Sequence, residues 1–266
     1  MPYPSLSAHH CLNIAHRGAA GEAPENTLVA FELALRQGAD GIEFDVHLSS
    51  DGVPVVIHDA RLERTTSGNG RVAALPVGVL KRLDAGSWFN RRYPARARLR
   101  YAGLKIPTLA EVLAWVRKRN CRAFVELKQA RYRYLGLEEK VLKEIYRAKV
   151  APLTTVISFD LPTVARVGQL DPSMALGLDF TRPLLALGRA TTVGTTSLLP
   201  HWAFATRRFI RRAHRLGFRV LVWDVERPLL MRRKILDGVD GIITRHPARL
   251  AEILGKNPRT TEIPLR

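Results

Sequence analysis

Residues 41–59, with the sequence GIEFDVHLSSDGVPVVIHD, place two carboxylates and a histidine in a short apolar segment. Because successive side chains of a strand point to opposite faces, Glu43 and Asp45 are expected to share one face. The pair Asp51-Gly52 is typical of a two-residue hairpin turn, and pairing across it would set Asp45 opposite His58. The segment therefore predicts a strand that folds back and carries an imidazole beside two carboxylates.

The elements that position this segment follow from the alternation of short apolar runs and amphipathic helical stretches, which is typical of parallel strands with helical crossovers. The predicted strands are 11–16, 41–47, 122–127, 155–159, 174–179, 194–199, 219–225 and 241–244. The predicted helices are 26–37, 108–119, 138–149, 160–170, 182–190, 206–216, 228–237 and 247–254. Eight strands and eight helices in strict alternation favour an α/β fold, a closed (β/α)₈ TIM barrel; a doubly wound open sheet is the alternative.

A repeated joint between helix and strand supports the barrel. The stretches QGADGIEFD (37–45) and DGVDGIIT (237–244) share a glycine followed by Asp-Gly-Ile at the start of a strand. We expect Gly38 and Gly238 to adopt the left-handed conformation that closes a helix. Two copies of one joint are what a repeated β/α unit would produce.

The segment 61–106 interrupts the alternation and is rich in Arg, Gly and Pro. Irregular segments of this length are uncommon unless they are functional. We interpret it as a small insertion after the second-strand hairpin that caps the active-site end of the barrel, with a short helix near 76–83. The chain as a whole, 1–266, is predicted to form a single domain.

The polar residues at the C-terminal ends of the predicted strands are of special interest, because TIM-barrel enzymes work at that end. They are His16, Arg17, Glu43, Asp45, Glu126, Lys128, Ser158, Trp223 and Thr244. Three of them are carboxylates on neighbouring strands, and carboxylates forced together cannot all stay ionised without a cation. A set of oxygen ligands with open positions suits one divalent cation, Mg²⁺ or Ca²⁺, better than zinc.

The remaining residues at this end have the chemistry of phosphate ester cleavage. His16 and His58 suit general base and general acid roles. Arg17 and Lys128 add fixed positive charge for an anion such as phosphate. Each motif alone has an ordinary structural explanation, such as a salt bridge, but their joint placement at one barrel end favours metal-assisted phosphoester cleavage.

The composition limits the class of protein and its partners. The formal net charge is +18, with arginines clustered in 91–100, 206–215 and 231–234; such a charge attracts nucleic acid, anionic membranes or phosphorylated small molecules. Aromatic residues do not alternate with the basic runs as a stacking surface would require, so no specific nucleic acid is expected. The sequence contains no uninterrupted apolar run of about 18 residues, so no transmembrane segment is predicted. The N-terminus lacks the pattern of a secretory signal, so we expect a cytoplasmic protein.

The motifs together resemble those of the glycerophosphodiester phosphodiesterase family. The match runs through residues 14–70 and continues in LDAGSWF, IPTL at 106–109, VELK, SFD and GVDGIIT, so it covers nearly the whole chain. The ordered pattern His-Arg-Gly, Pro-Glu-Asn-Thr, Glu-x-Asp, His-Asp and Glu-x-Lys is specific. The resemblance implies a (β/α)₈ barrel with an insertion after the His-Asp motif.

The resemblance also implies an activity and a role for each site residue. The expected reaction is hydrolysis of glycerophosphodiesters, such as glycerophosphocholine or glycerophosphoethanolamine, to sn-glycerol 3-phosphate and an alcohol. The implied roles are divalent-metal ligands for Glu43, Asp45 and Glu126, an acid–base pair for His16 and His58, and phosphate contacts for Arg17 and Lys128. Trp223 is expected to line the pocket, His201 could reach it, and His47 is not expected to be a ligand.

Two stretches depart from the family pattern. Where the family often has Trp-Thr-Val-Asn, this chain has Trp223-Asp224-Val225-Glu226, and where it often has Thr-Asp-x-Pro, this chain has Thr244-Arg245-His246-Pro247. Both are expected at the rim, where they would affect headgroup preference. We expect Glu25 and Asn26 to fix the first loop and cap the first helix.

Two other functions remain alternatives at the level of sequence. One is a lysophospholipase D-like activity on diesters with lipid tails, which would need an apolar groove near the insertion. The other is a non-catalytic basic protein that binds phosphate or nucleic acid. The sequence leaves the choice of metal, the headgroup and the oligomeric state open.

Overall fold

The computed structural model describes residues 11–129, 133–181 and 186–256. The ends of the predicted domain, 1–10 and 257–266, and the first part of the helix predicted at 182–190 lie outside the described residues. In the described part of the chain, no helix is both long enough and apolar enough to cross a bilayer.

The strands form a closed parallel barrel. They are β1 Leu12–His16, β2 Gly41–Leu48, β3 Pro54–Val56, β4 Arg122–Leu127, β5 Thr154–Ser158, β6 Ala175–Phe180, β7 Ser197–Pro200, β8 Arg219–Val222 and β9 Gly241–Thr244. Strand β1 pairs in parallel with both β2 and β9, β2 pairs in parallel with β4, and each strand from β4 to β8 pairs in parallel with the next. Among the strands of the described residues, only β3, which forms an antiparallel hairpin with β2, lies outside the barrel. The predicted (β/α)₈ barrel is therefore confirmed.

Seven of the helices in the described residues connect successive barrel strands, two belong to the insertion, and the last follows the final strand. They are α1 Leu28–Arg36, α2 Val77–Leu80, α3 Ser87–Arg92, α4 Leu109–Arg119, α5 Leu137–Arg147, α6 Leu161–Leu170, α7 Ala186–Thr192, α8 Arg207–Arg215, α9 Pro228–Asp237 and α10 Pro247–Ile253. Side chains cap several of them: Thr108 and Glu111 form a capping box at α4, and Asp160 accepts the backbone N–H of Thr163 at α6.

Alternation along the strands separates an outer apolar layer from the barrel interior. On β2, Ile42 and Phe44 belong to the large core between sheet and helices, and Phe44 lies against Phe31 of α1. The inward-facing positions contribute a separate apolar cluster made of Leu12, Ile14, Phe124, Ile157, Leu199, Leu221 and Ile243. Further along the same strands the inward-facing residues become polar, as in the step from Ile14 to His16. The interior is thus apolar at one end and polar at the C-terminal end.

The repeated joint between helix and strand is present at both predicted places. Gly38 and Gly238 have φ angles of 83° and 94°, which confirms the predicted left-handed conformation. In each copy the aspartate before the strand binds the neighbouring strand: Asp40 Oδ2 accepts the N–H of Asn13 at 2.8 Å, and Asp240 Oδ2 accepts the N–H of Val220 at 2.7 Å.

The predicted register of the β2–β3 hairpin is wrong by one residue. Val46 pairs with Val56 and Leu48 with Pro54, so Asp45 lies opposite Ile57, whose N–H donates to the Asp45 carbonyl at 3.0 Å. The loop has three residues, 50–52, and closes through the left-handed Gly52, whose φ is 75°. His58 therefore lies one residue beyond the position predicted for it.

The insertion packs in two apolar clusters against the first part of the barrel. Its helix α2 lies within the predicted 76–83, whereas α3 was not predicted. One cluster joins Leu62, Val72, Leu80 and neighbouring insertion residues to the hairpin. The second joins Phe89 and Tyr101 to Ala23 and Ala30, and the Tyr101 hydroxyl donates to the Glu22 carbonyl at 3.0 Å. The insertion thus contacts the loop that follows β1, at the C-terminal end of the strands.

Removal of the Phe89 ring should destabilise the protein strongly. This ring is fully buried and lies against the rings of Trp88, Tyr93 and Tyr101. We expect Phe89→Ala to lower the free energy of unfolding by about 3–5 kcal/mol, measured by urea denaturation. The control Leu99→Ala alters a side chain that is 97% exposed and should change stability by about 0.5 kcal/mol or less. Equal effects of the two variants would contradict this packing.

Candidate active site

The three carboxylates predicted from the sequence lie together at the C-terminal end of the barrel. One carboxylate oxygen from each of Glu43, Asp45 and Glu126 lies within 4.8 Å of the others. The parallel register produces this arrangement, because Asp45 of β2 pairs with Glu126 of β4 and Glu43 pairs with His16 of β1. All three carboxylates are buried, with 7% or less of each residue exposed.

Two cations partly neutralise the cluster. Lys128 Nζ lies 2.9 Å from Asp45 Oδ1 and 2.7 Å from Glu126 Oε1, and Arg17 Nε lies 3.2 Å from Asp45 Oδ2. The side-chain amide of Asn26 also donates to Asp45 Oδ2 at 2.8 Å. Arg17 has a left-handed backbone with φ 54°, which is uncommon for a residue other than glycine, and its N–H donates to Glu43 Oε2 at 3.1 Å.

The charge balance divides the three carboxylates. Burial would raise the pKa of Asp45, but Lys128 and Arg17 hold it well below its ordinary value. Burial and the charges of Asp45 and Glu126 raise the pKa of Glu43 well above its ordinary value. Burial also raises the pKa of Glu126, although Lys128 opposes the shift. Glu43 is therefore the carboxylate with the least compensation.

The donor set fits a divalent cation. Glu43 Oε1 is buried and has no hydrogen-bond partner, which is costly for a carboxylate oxygen. Asp45 Oδ1 also has no hydrogen-bond partner, although Lys128 Nζ lies 2.9 Å from it. Three carboxylates with such oxygens and a cavity beside them are a suitable ligand set for Mg²⁺ or Ca²⁺. In the described part of the chain, Glu43, Asp45 and Glu126 are the one group of this kind.

Both predicted histidines border the same cavity as the acidic cluster. This cavity has a volume of about 140 Å³ and is lined by His16, Arg17, Glu43, His58, Glu126, Lys128, Ile157, Phe159, Asp179, Trp223 and Ile243. His16 Nε2 lies 3.8 Å from Glu43 Oε2. His58 Nδ1 lies 2.6 Å from Asp59 Oδ1, and Arg64 binds that same carboxylate. The structure thus brings together every site residue predicted from the sequence.

Trp223, His201 and His47 lie around the histidines and the acidic cluster. Trp223 forms part of the cavity wall, and its indole N–H donates to the Leu199 carbonyl at 2.8 Å. His201 packs edge-on against Trp223, with ring centroids 5.0 Å apart, and is not among the residues that line the cavity. His47 bonds to the Tyr134 hydroxyl and to the His58 carbonyl, so it fixes the backbone of His58.

The residues of the first loop differ in detail from the prediction. Helix α1 is capped by Thr27, whose hydroxyl accepts the N–H of Ala30, and not by Asn26. Glu25 fixes the loop by accepting hydrogen bonds from Arg17 and Arg64. Asn26 is held against Asp45 instead, because its left-handed backbone, with φ 57°, turns its side chain toward the cluster.

Two carboxylates in the site were missed by the sequence reasoning. Asp179 near the end of β6 is buried, lines the cavity and has an oxygen without a hydrogen-bond partner; burial and the charge of Glu126 raise its pKa well above the ordinary value. Its place at the end of the predicted strand 174–179 could have identified it. Asp224 lies with its Oδ1 3.2 Å from His16 Nδ1. It was named only as a departure at the rim, since no local pattern joins residues so far apart in sequence.

The metal-free protein should lose stability as the pH rises. A carboxyl whose pKa is raised in the folded state stabilises the fold below its unfolded pKa, and this contribution is lost as the pH rises through the folded pKa. With a chelator present, the raised pKa values of Glu43 and Glu126 should lower the free energy of unfolding as the pH rises above the ordinary glutamate pKa of about 4.3. The measurement is urea denaturation at several pH values.

Added Mg²⁺ or Ca²⁺ should reduce that loss, because an ion that binds only the folded state stabilises it. The Glu43→Gln variant should show both a smaller dependence on pH and a smaller effect of the ion. An unchanged dependence on pH in this variant, or no effect of either ion on the unmodified protein, would contradict the interpretation of the cluster as a cation site.

The comparisons with known proteins agree with the geometry of the site. Residues 16–249 match the model of the glycerophosphoryl diester phosphodiesterase family. A glycerophosphodiester phosphodiesterase of Caldanaerobacter subterraneus subsp. tengcongensis is 35% identical over 92% of this chain and 98% of its own length. Another, from Bacillus subtilis, is 33% identical over 91% of this chain and 86% of its own length.

Solved structures give the same result. A phosphodiesterase of Oleispira antarctica in complex with the product sn-glycerol-3-phosphate superposes with a TM-score of 0.82 and 30% identity, covering 91% of this chain and 96% of that one. A glycerophosphodiester phosphodiesterase of Agrobacterium tumefaciens superposes with a TM-score of 0.77 and 28% identity, covering 91% and 99%. The match of family model, whole-length relatives and barrel structure confirms the resemblance, and this chain belongs to the glycerophosphoryl diester phosphodiesterase family of enzymes.

Proposed function

We propose that the protein hydrolyses glycerophosphodiesters, such as glycerophosphocholine or glycerophosphoethanolamine, to sn-glycerol 3-phosphate and an alcohol. The observation that carries this proposal is the shared cavity of His16, His58 and the acidic cluster. The Oleispira antarctica relative, which was solved with sn-glycerol-3-phosphate, supports the choice of product. A small anionic diester also suits a site with two fixed cations, Arg17 and Lys128.

Glu43, Asp45 and Glu126 would hold one divalent cation, Mg²⁺ or Ca²⁺. When bound, this cation would polarise the phosphoryl oxygens and offset the charge that develops on them. Arg17 and Lys128, already fixed beside Asp45, would add positive charge at the phosphate without reorganisation during the reaction. Trp223 and Phe159 line the same cavity and would limit access of water to it.

The two imidazoles would move the protons. One imidazole accepts a proton from the nucleophile as the oxygen of the nucleophile bonds to phosphorus. The other donates a proton to the oxygen of the leaving alcohol as the bond between that oxygen and phosphorus breaks. The nucleophile is either water or the glycerol hydroxyl of the substrate, and the second route gives a cyclic phosphate that water then opens. In each step of both routes, one imidazole gains a proton while the other loses one.

The proposal extends to the organisation of the chain. We interpret 1–266 as one domain, with the 61–106 segment as a cap at the active-site end. Arg64 of this segment supports the interpretation, since it bridges Asp59, the partner of His58, and Glu25 of the first loop. The cytoplasmic location stays a prediction from the sequence.

A second candidate substrate class is favoured by one observation. A cavity of about 520 Å³ adjoins the site and shares His58, Glu126, Lys128 and Phe159 with it. This space could receive an alcohol group larger than choline, as a lysophospholipase D-like activity on lipid-tailed diesters would need. Its wall contains Leu127 and Phe159 beside charged residues such as Asp59 and Arg61. We prefer the water-soluble diesters because the Oleispira antarctica relative was solved with the product sn-glycerol-3-phosphate.

A panel of substrates separates the two classes and tests the cation. We expect release of glycerol 3-phosphate from glycerophosphocholine and glycerophosphoethanolamine, loss of activity with a chelator, and recovery when Mg²⁺ or Ca²⁺ is added back. Lysophosphatidylcholine should be hydrolysed with a much lower kcat/KM. Faster turnover of lysophosphatidylcholine would select the second candidate, and activity that is indifferent to the chelator would refute the role of the cation.

Removal of either imidazole should abolish most of the activity. We expect His16→Ala and His58→Ala each to lower kcat by a factor of about 10²–10⁴, because each removes one proton-transfer step. A matched control is His214→Ala, in which the lost ring pairs with Asp240 and is not among the residues lining the cavity. Full activity in both site variants, measured by steady-state kinetics on glycerophosphocholine, would refute the acid–base assignment.

A further inference from the structure

The two stretches that depart from the family pattern meet in space and form one charged network. Asp224 and Glu226 follow β8, and Arg245 and His246 follow β9. Arg245 Nε lies 3.5 Å from Asp224 Oδ2 and 3.2 Å from Glu226 Oε1, and His246 Nε2 lies 3.4 Å from Glu226 Oε2. Arg245 is therefore complementary in charge to Asp224, which lies 21 residues earlier in the chain, and to Glu226.

This network contacts one of the two histidines that line the cavity. Asp224 Oδ1 lies 3.2 Å from His16 Nδ1, while the opposite ring nitrogen, Nε2, lies on the side of Glu43. A carboxylate can only accept a hydrogen bond at this position, so it favours the tautomer with the proton on Nδ1. Nε2 then carries the lone pair on the side of the ring that faces the acidic cluster.

The second histidine has the same arrangement. His58 Nδ1 lies 2.6 Å from Asp59 Oδ1, and Arg64 Nε lies 2.6 Å from the other oxygen of that carboxylate. Each histidine thus contacts a carboxylate, and that carboxylate in turn contacts an arginine. The set of His58 is local, because its carboxylate is the next residue, whereas the set of His16 is assembled from β1 and the loops after β8 and β9.

We propose that Asp224 is a positioning residue for His16, and that Arg245, itself paired with Glu226, holds Asp224 in place for that task. The inference rests on the proposed catalytic role of His16. An aspartate that fixes both the tautomer and the rotamer of a catalytic imidazole has a precedent in the serine hydrolase triad. The threonine that the family often has in place of Asp224 carries no charge, so the aspartate and the arginine act as a pair in this chain.

The tautomer of His16 can be measured without turnover. In ¹⁵N-labelled protein at about pH 8, above the ordinary imidazole pKa, the ring nitrogen shifts of His16 should report a protonated Nδ1. The His16→Ala spectrum provides the assignment. In Asp224→Asn the amide oxygen should face Arg245, which can only donate, so the NH₂ group faces His16 Nδ1 and should move the proton to Nε2. An unchanged tautomer in Asp224→Asn would overturn the inference.

The kinetic test separates positioning from general stability. We expect Asp224→Asn to lower kcat by about 10²-fold with little change in KM, as for an interaction that counts only in the transition state. Asp224→Ala should behave similarly, and the control Glu252→Gln, on the exposed face of α10, should leave both constants unchanged. A rise in KM with unchanged kcat would assign Asp224 to substrate binding and overturn the inference.

Exchange toward the family pattern tests the network as a unit. Arg245→Asp alone places a third carboxylate beside Asp224 and Glu226 and removes their cation, so it should lose most of the activity. Because both changes act on the same carboxylate, adding Asp224→Thr should lower kcat little further, and the combined loss should fall short of the product of the two single losses by more than about twofold. Independent, multiplicative losses in the double variant would show that the two departures are unconnected, against the proposal.

Failure of this inference and failure of the proposed function give different results. If His16→Ala keeps full activity while Asp224→Asn still shifts the His16 tautomer, the geometry of positioning stands and the proposed acid–base role is wrong. If His16→Ala is inactive while the Asp224→Asn variant keeps the His16 tautomer and the kcat of the unmodified protein, the proposed function stands and Asp224 has no positioning role.

Discussion

The site depends on the burial of three carboxylates within a few ångströms of one another. Glu43, Asp45 and Glu126 repel one another in a region that water hardly reaches, and this arrangement is costly unless positive charge compensates it. Lys128 and Arg17 supply part of that charge and have their own positions fixed in return. The orphaned oxygen of Glu43 is the part that remains uncompensated, and it accounts for the fit of the site to a divalent cation.

The barrel is what makes such burial possible. Its inward positions are apolar at one end, where Ile14 and Phe124 belong to a closed cluster, and polar two residues further along the same strands, at His16 and Glu126. The apolar layer supports the charged layer from below, and the backbone register fixes which carboxylates become neighbours. The same strands thus supply both the apolar residues that stabilise the barrel and the polar residues of the site.

Both histidines have their Nδ1 atom bound by a carboxylate that lies outside the acidic cluster. His58 has its partner in the adjacent Asp59, held by Arg64 of the insertion, and His16 has its partner in the distant Asp224, held by Arg245. The segments that fix the two rings are those in which the chain differs most from a plain barrel: the long insertion and the two loops that depart from the family pattern. Orientation of the imidazoles is therefore a property of the loops, while the carboxylates belong to the strands.

The sequence by itself determined the barrel, its order of elements and the residues of the acidic cluster, because strand alternation and the glycine-containing joints at Gly38 and Gly238 are local properties of the chain. It could not determine the hairpin register, which depends on whether the loop has two or three residues and was settled by the left-handed Gly52. It also did not reveal that Asp224 is the partner of His16, or that Arg245 forms ion pairs with Asp224 and Glu226. Those contacts join residues far apart in the chain, and only the closure of the barrel between β1, β8 and β9 brings them within bonding distance.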